Sequence, residues 1–360
     1  SVYRTICGAV ADTLSGLMIV RFTAKMGVLR TIIVIGLCVL VPGILNDVYG
    51  QNTTDWDHVD SVVAHYPNRP LRVKAVSNRI NRDFLKPEER ARAIFYWIST
   101  HLAYDVRTNR KRRYSYKNDR QLDRINNRIA LRAFRKQKGV CEGYSRLYKK
   151  MAEQCGLECK VVSGEAKTEE FDIGNQRFQA THAWNAVKIN GEWKLLDATW
   201  GAGGTKKVDR QGKRGKKKVF VPRFKDVYFF TQPEVFFLKH FPSDTSMLLC
   251  KRTYEEFSNL PLCKSRMLEL GIMLSDSTKG VIWGDEGDTI SIQLNTQYEL
   301  KDLEFKFSRE KWDHMATQAY ATESGYTFEF VNPYINGGYL WVYWRNESLA
   351  AFRIRPKPEL

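Results

Sequence analysis

The feature that most constrains the fold is the stretch GVCEGYSRLYKKMAEQCG at residues 139–156, which predicts a buried helix with a cysteine in its first turn. Its apolar residues recur at the i, i+3, i+4, i+7 spacing of one helical face, and they are Tyr144, Leu147, Tyr148, Met151, Ala152 and Cys155. Gly156 supplies a C-terminal stop. Cys141 then lies at the positive end of the helix dipole, where unpaired backbone N–H groups favour a thiolate. A cysteine here suits nucleophilic chemistry, although a lone cysteine is also a common small core residue.

Length and charge set broad limits on the class of protein. The chain has 360 residues and 43% hydrophobic content, which allows two globular domains of ordinary size. It carries 57 Lys and Arg against 40 Asp and Glu, a net charge of +17. Such a charge favours polyanions such as nucleic acid, glycosaminoglycan or anionic membrane, and it does not choose among them.

The N-terminal part predicts a secretory signal peptide. The segment begins at Met26, carries a positive residue at Arg30, continues with the apolar run TIIVIGLCVLVPGIL and ends at Gly50, before a cut at Gln51. The alternative is a signal anchor that holds the protein in the membrane, which the shortness of the apolar run disfavours. Residues 1–25 would then precede the signal and be absent from the secreted protein.

Secretion into an oxidising compartment predicts disulfides among the five cysteines that remain. The most economical pairs are Cys155 with Cys159 and Cys250 with Cys263, although four cysteines allow three connectivities. Cys141 is then the odd thiol and stays free.

Periodicity predicts helices at residues 56–66, 87–102 and 121–134, and strands at residues 160–166, 182–189 and 193–199. The last two strands are joined by Asn190 and Gly191, a strong hairpin turn signal. With these two residues as the turn, His182 and Asp197 point to the same face of the hairpin, one diagonal step apart. An imidazole and a carboxylate can meet there.

The remaining chain predicts a second domain. Residues 201–218 lack apolar periodicity and predict a surface loop, and a boundary is expected near residues 261–265. Short alternating runs from there to residue 356 predict a small β-sandwich. The predicted organisation is a leader at residues 1–50, an α+β domain at residues 51–264 and a β-sandwich-like domain at residues 265–360.

Cys141, His182 and Asp197 supply a nucleophile, a base and a group that orients the base. Each has an ordinary structural explanation by itself: His182 as a core histidine, Asp197 as the cap of the following turn. The joint pattern is stronger than its members. The sequence shows no metal-ligand spacing and no cofactor motif, so none of either is predicted.

Several separate motifs resemble one known family. GVCEGYSRLYKKMAEQCGLECKVVSGEAK and THAWNAVKINGEWKLLDATWGAG, together with PEERARAIFYWISTHLAYD upstream and DVYFFTQPEVFFLKHFPSD downstream, are similar to the transglutaminase-like superfamily and its kyphoscoliosis peptidase and hillarin group. The resemblance covers roughly residues 56–262. It implies a papain-like α+β core, with helices packed on an antiparallel sheet, and a Cys, His, Asp triad that carries over onto Cys141, His182 and Asp197.

Two features depart from that group. Its best-known members are intracellular and linked to the cytoskeleton, whereas this chain is predicted to be secreted. The lysine-rich loop after Gly204 is also longer and more basic than the family leads one to expect.

The resemblance implies an enzyme that attacks a protein amide and forms a thioester, with the backbone N–H of Cys141 as one oxyanion donor. Tyr104 and Trp97 are weak guesses for the second donor. Water as acceptor makes a peptidase or deamidase and an amine makes a transglutaminase. The sequence does not decide between these outcomes, and the closer relatives favour the peptidase.

The alternative is a non-catalytic secreted binding protein with the same fold. Its surfaces would be two basic runs, one from Arg107 to Arg113 and one from Lys206 to Lys218, which are otherwise ordinary solvated loops. A heparin-like or anionic surface is the expected partner, and nucleic acid is unlikely because aromatic residues are not interleaved with the basic runs. The substrate and the oligomeric state do not follow from the sequence.

Overall fold

The computed structural model describes residues 56–107, 118–210, 214–275, 277–296, 303–308, 318–334 and 336–358. These described residues belong to one compact unit. The predicted signal segment and all but the first residue of the basic run that begins at Arg107 lie outside the described residues, so both stay predictions. Among the helices that are described, none has the length and apolar character needed to cross a membrane.

The helices lie mostly in the first half of the described chain. They are α1 (Asp57–Ala64), α2 (Val73–Asp83), α3 (Pro87–His101), α4 (Asp119–Lys136), α5 (Cys141–Gln154), α6 (Ala198–Gly201), α7 (Pro233–Phe237), α8 (Tyr254–Asn259) and α9 (Ser265–Glu269). The predicted helices at residues 56–66, 87–102 and 121–134 correspond to α1, α3 and α4, within a few residues at each end.

The strands form five small sheets. They are β1 (Ala103–Tyr104), β2 (Lys138–Gly139), β3 (Cys159–Ala166), β4 (His182–Ile189), β5 (Glu192–Leu196), β6 (Gly203–Asp209), β7 (Lys216–Pro222), β8 (Phe229–Thr231), β9 (His240–Pro242), β10 (Leu262–Cys263), β11 (Met273–Leu274), β12 (Val281–Trp283), β13 (Thr289–Asn295), β14 (Leu303–Phe307), β15 (Gln318–Thr322), β16 (Gly325–Val331), β17 (Gly338–Trp344) and β18 (Glu347–Arg355).

The central sheet is antiparallel, with strand order β8-β5-β4-β3-β9. Its β4–β5 hairpin turns at Asn190 and Gly191, whose φ angles of 51° and 90° are those of a type I′ turn. Asn185 pairs with Leu196, which is the register that the sequence predicts. The helices pack on this sheet, and the α+β prediction is confirmed.

Helix α5 is fixed on both sides by buried hydrogen bonds. The Tyr144 hydroxyl donates to the Leu102 carbonyl at 2.6 Å, and the Tyr148 hydroxyl donates to the Ala91 carbonyl at 3.1 Å. On the sheet side, Asn185 Nδ2 donates to the Ser145 carbonyl at 3.0 Å. All six predicted apolar residues of α5 are buried. The helix therefore cannot rotate without breaking contacts on two faces.

The C-terminal strands form two facing sheets. One has the order β10-β18-β17-β14, with β12 beside β18, and the other has the order β11-β13-β16-β15. Phe305 of β14 contacts Phe328 and Phe330 of β16, with ring centroids 4.9 and 4.7 Å apart. Apolar residues thus fill the space between the sheets, as in a β-sandwich.

The structure corrects two predicted elements. The predicted strand at residues 193–199 ends at Leu196, because Asp197 caps the short helix α6. The predicted loop at residues 201–218 is largely the β6–β7 hairpin, which pairs from Gly203 with Pro222 to Asp209 with Lys216. Its lysines are exposed and mask a strand pattern that continues into the apolar residues 219–221.

The predicted disulfides are also wrong, since all five described cysteines are free thiols. The Cys155 thiol donates to the Ser77 carbonyl at 3.7 Å, and the Cys159 thiol to the Lys160 carbonyl at 3.7 Å. Cys155 caps the C-terminal end of α5 while Cys159 opens β3, so their short sequence separation does not bring the sulfur atoms together.

Candidate active site

Cys141 is the first residue of α5 and is half-buried. The short parallel pair of β1 and β2 sets its position, because Tyr104 pairs with Gly139 immediately before the helix begins. The first N–H groups of a helix have no partner inside it. Within the part of the chain that the structure describes, the backbone N–H of Cys141 has no acceptor, so it can donate to a bound oxygen.

His182 and Asp197 meet at the end of the β4–β5 hairpin. His182 opens β4, where it is paired with Gly164 of β3, and Asp197 directly follows β5. His182 Nε2 donates to Asp197 Oδ2 at 2.7 Å, and both side chains are buried. The structure thus joins the two residues that register places on one face.

The Asp197 carboxylate accepts four hydrogen bonds. Oδ1 accepts from the backbone N–H groups of Thr199 at 2.8 Å and Trp200 at 3.1 Å. Oδ2 accepts from His182 and, at 3.2 Å, from His240 Nε2. Burial alone would raise the pKa of Asp197, but the charge and hydrogen bond of His182, supported by His240, hold it well below its usual value. Asp197 is therefore both a helix cap and the anionic partner of an imidazole.

The Cys141 thiol lies close enough to His182 for the imidazole to act on its pKa. Since His182 Nε2 binds Asp197, Nδ1 is the nitrogen left for the sulfur. Burial would raise the pKa of Cys141, yet His182 and the backbone N–H of Ala183 hold it below its ordinary value. Burial likewise opposes the charge on His182, but Asp197 raises the pKa of that imidazole to about 10. These opposite shifts favour a thiolate–imidazolium pair at neutral pH.

Aromatic rings surround the imidazole of His182. The Trp200 ring stacks on it with centroids 5.0 Å apart and planes at 23°. Trp184 lies on another side at 6.2 Å. These rings restrict the orientation of His182 and keep water away from its bond to Asp197.

His240 completes the cluster, and the sequence analysis does not identify it. It opens β9, stacks on Phe236 at 3.9 Å and is buried. Burial lowers the pKa of His240 to about 4, so it is a neutral donor to Asp197. The sequence holds one signal for it, the histidine in the motif downstream of the hairpin, but its pairing with Asp197 depends on the β3–β9 contact.

Replacing His240 by leucine is expected to lower turnover about tenfold, because one of four bonds to the Asp197 carboxylate is lost. His240→Gln keeps a side-chain N–H and should retain more activity. The measurement is the pH dependence of turnover. As the pH is lowered, His240→Leu should lose activity at a higher pH than the unmodified protein, because Asp197 is then less strongly held as an anion. Equal profiles for the two variants would contradict a positioning role for His240.

His182, Asp197 and His240 also offer three ligand atoms within 4.8 Å of one another, close enough to bind a metal ion. Both imidazole Nε2 atoms already donate to Asp197 Oδ2. Hydrogen bonding alone thus explains this geometry.

A cavity of about 540 Å³ opens beside His182. Tyr104, Thr199 and Trp200 contribute to its wall, and so do residues of β6 and β7. Burial, with the nearby negative charges of Cys141 and Asp197, raises the pKa of Tyr104 to about 12, so its hydroxyl stays protonated near the sulfur. Tyr104 remains a candidate second oxyanion donor.

The other guess, Trp97, has a different environment. Its ring is fully buried and stacks on His101 and Phe134, with centroids 4.6 and 5.6 Å away. It does not line the cavity. These contacts place Trp97 in the core behind the site.

A match to a family model agrees with the fold and with the site. Residues 74–198, which hold Cys141, His182 and Asp197, match the family model of the transglutaminase-like superfamily. This part of the chain is therefore a transglutaminase-like domain.

Individual relatives narrow the group. The chain is 31% identical over 230 residues to kyphoscoliosis peptidase of Mus musculus, which covers 61% of this chain and 32% of that protein. It is 31% identical over 189 residues to kyphoscoliosis peptidase of Homo sapiens (51% and 26% covered) and 29% identical over 183 residues to hillarin of Drosophila melanogaster (48% and 22% covered). The predicted resemblance to this group is confirmed. The chain spans about a third or less of the length of these relatives.

Proposed function

We propose that this chain is a cysteine enzyme that acts on protein amides, with Cys141 as nucleophile, His182 as general acid and base, and Asp197 as the group that holds His182. The observation that carries the proposal is the position of Cys141 at the start of α5, near an imidazole that is itself hydrogen-bonded to a buried carboxylate. The lowered pKa of Cys141 agrees with this geometry. A buried cysteine with only a structural role has a raised pKa, as Cys155 and Cys263 do here, at about 11.

The first half of the reaction forms a thioester. The Cys141 thiolate attacks the amide carbonyl carbon, and the carbonyl oxygen becomes an oxyanion that accepts from the backbone N–H of Cys141. An aimed donor of this kind contributes about 3 kcal/mol to the stability of the transition state. The His182 imidazolium then protonates the departing nitrogen, the C–N bond breaks, and an amine or ammonia leaves.

The second half regenerates the thiolate. Neutral His182 takes a proton from the acceptor as it attacks the thioester, and the C–S bond breaks. Water as acceptor gives a carboxylate and a primary amine gives a new amide, so one site supports hydrolysis and transfer. The names of the relatives favour hydrolysis, since two are called peptidases.

The test is mass spectrometry of a glutamine-containing protein incubated with the enzyme and a primary amine. Peptide-bond cleavage, deamidation and amine incorporation give different mass changes in one run. Each product should be absent with Cys141→Ala. Cys250→Ala is the matched control, because Cys250 is also half-buried but has no histidine bonded to it. Product from Cys141→Ala, or none from the unmodified protein with any substrate, would overturn the proposal.

A further inference from the structure

The cavity beside His182 is rich in lysine. Six lysines line it, together with the single carboxylate residue Glu169; they are Lys167, Lys207, Lys218, Lys225, Lys239 and Lys264. None of the six makes a salt bridge with any residue that the structure describes. The wall of the cavity therefore carries a concentrated positive charge.

The inner lysines are bound by neutral groups. Lys167 Nζ donates to the carbonyls of Phe257, Ser258 and Leu260 at 2.7–3.0 Å, and Lys239 Nζ donates to the Cys263 carbonyl and lies 4.7 Å from the centre of the Trp200 ring. Carbonyl groups satisfy the N–H donors but do not neutralise a charged ammonium group as a carboxylate would. Burial lowers the pKa of Lys239 to about 7, and an anion in the cavity would favour its charged form.

The outer lysines form a like-charge pair on the β6–β7 hairpin. Lys207 and Lys218 are directly opposed in the strand register, and both are exposed at the cavity. Like charges that face each other across a strand pair destabilise it. An anion bound between them would remove this repulsion.

We propose that the cavity binds acidic side chains of the protein substrate, close to the amide that Cys141 attacks. The inference rests on the proposed function and adds a substrate class to it. A volume of about 540 Å³ holds a few side chains of a bound peptide, and His182 forms part of the same wall. A short acidic side chain can enter a cavity of this size and approach the inner lysines, whereas a long polyanion such as heparin reaches only the exposed Lys207 and Lys218. An acidic peptide is therefore the occupant that the cavity favours.

The experiment compares peptides of equal length in which the target glutamine is flanked by glutamate, serine or lysine. Binding is measured by fluorescence anisotropy on Cys141→Ala, and kcat/KM on the active protein. The glutamate peptide should bind about tenfold more tightly than the serine peptide at 0.1 M ionic strength or below, and the lysine peptide more weakly than either. The double variant Lys207→Glu/Lys218→Glu should lose the preference for glutamate.

The matched control is Lys206→Glu/Lys217→Glu, which makes the same change of charge on the same two strands. Because side chains alternate along a strand, Lys206 and Lys217 point to the opposite face of the hairpin, and neither lines the cavity. This control should keep the preference. Equal loss in both double variants, or equal binding of all peptides, would overturn the inference. So would a heparin fragment that binds through Lys207 and Lys218 while the glutamate peptide does not.

Binding and turnover separate the two proposals. Selective binding of the glutamate peptide without any product would overturn the proposed function and support the acidic-peptide site. Turnover of all three peptides with the same kcat/KM would support the proposed function and overturn the site.

Discussion

Asp197→Asn is expected to lower turnover by about 10³–10⁴-fold, while the protein stays folded. Asparagine keeps one oxygen, which can still accept from the backbone N–H groups of Thr199 and Trp200 and cap helix α6. Its amide N–H₂ group then faces the N–H groups of the two imidazole Nε2 atoms, so neither hydrogen bond to this side chain can form. His182 loses its anionic partner and the tautomer that points Nδ1 at Cys141. The measurement is kcat with a peptide substrate, alongside thermal unfolding.

Asp244→Asn is a suitable control for this substitution. Asp244 also caps a short helical turn, since its side chain accepts from the backbone N–H of Ser246 at 3.0 Å, and it is exposed. The two variants make the same chemical change at a cap, but only one cap is bonded to histidine. Similar activities for the two variants would refute the role given to Asp197.

His182→Ala is expected to slow alkylation of Cys141 by iodoacetamide at pH 6 by about a hundredfold. In the unmodified protein, His182 outweighs the effect of burial on the pKa of Cys141; without the imidazole, burial raises that pKa. Even a thiol of ordinary pKa is only about 0.3% ionised at pH 6. The thiolate of the unmodified protein exists from the lowered pKa of Cys141 upward. In the unmodified protein, turnover should fall as the pH rises past about 10, because His182 then loses the proton that it gives to the leaving nitrogen.

Cys250 provides an internal control for alkylation in the same sample. It is half-buried like Cys141, and burial raises its pKa to about 11. Peptide mapping after a short exposure at pH 6 should therefore find label on Cys141 and little on Cys250. If the two thiols react at equal rates, or if His182→Ala leaves the rate at Cys141 unchanged, the ion pair does not exist and the enzyme interpretation fails with it.

Helix α5 and the β4–β5 hairpin could be predicted because their signals are local. One apolar stripe and one glycine define α5, and Asn190 with Gly191 fixes the hairpin turn and hence its register. Register decides which side chains share a face, so the meeting of His182 and Asp197 follows from a turn several residues away. The Cys, His, Asp order of the family motifs then identifies Cys141 as the third member of the site.

The rest of the site depends on contacts between distant segments. His240 reaches Asp197 because β9 pairs with β3, and a strand of three residues leaves little periodicity to detect. Lys167 and Lys239 look like ordinary surface lysines in the sequence, whereas the structure buries both and binds them to backbone carbonyls. The disulfide prediction relied on sequence separation instead of geometry. It is wrong because Cys155 and Cys159 lie on different elements.

The double use of Asp197 has a consequence for mutational surveys of this protein. A survey that scores cellular abundance would rank Asp197 with the residues of the packed interior, because most replacements leave two backbone N–H groups and two buried histidines without their hydrogen-bond acceptor. A survey that scores chemistry would rank it beside the thiol. Asparagine is the substitution for which the two rankings should separate, and that separation would show how much of the intolerance at this position belongs to folding and how much to the reaction.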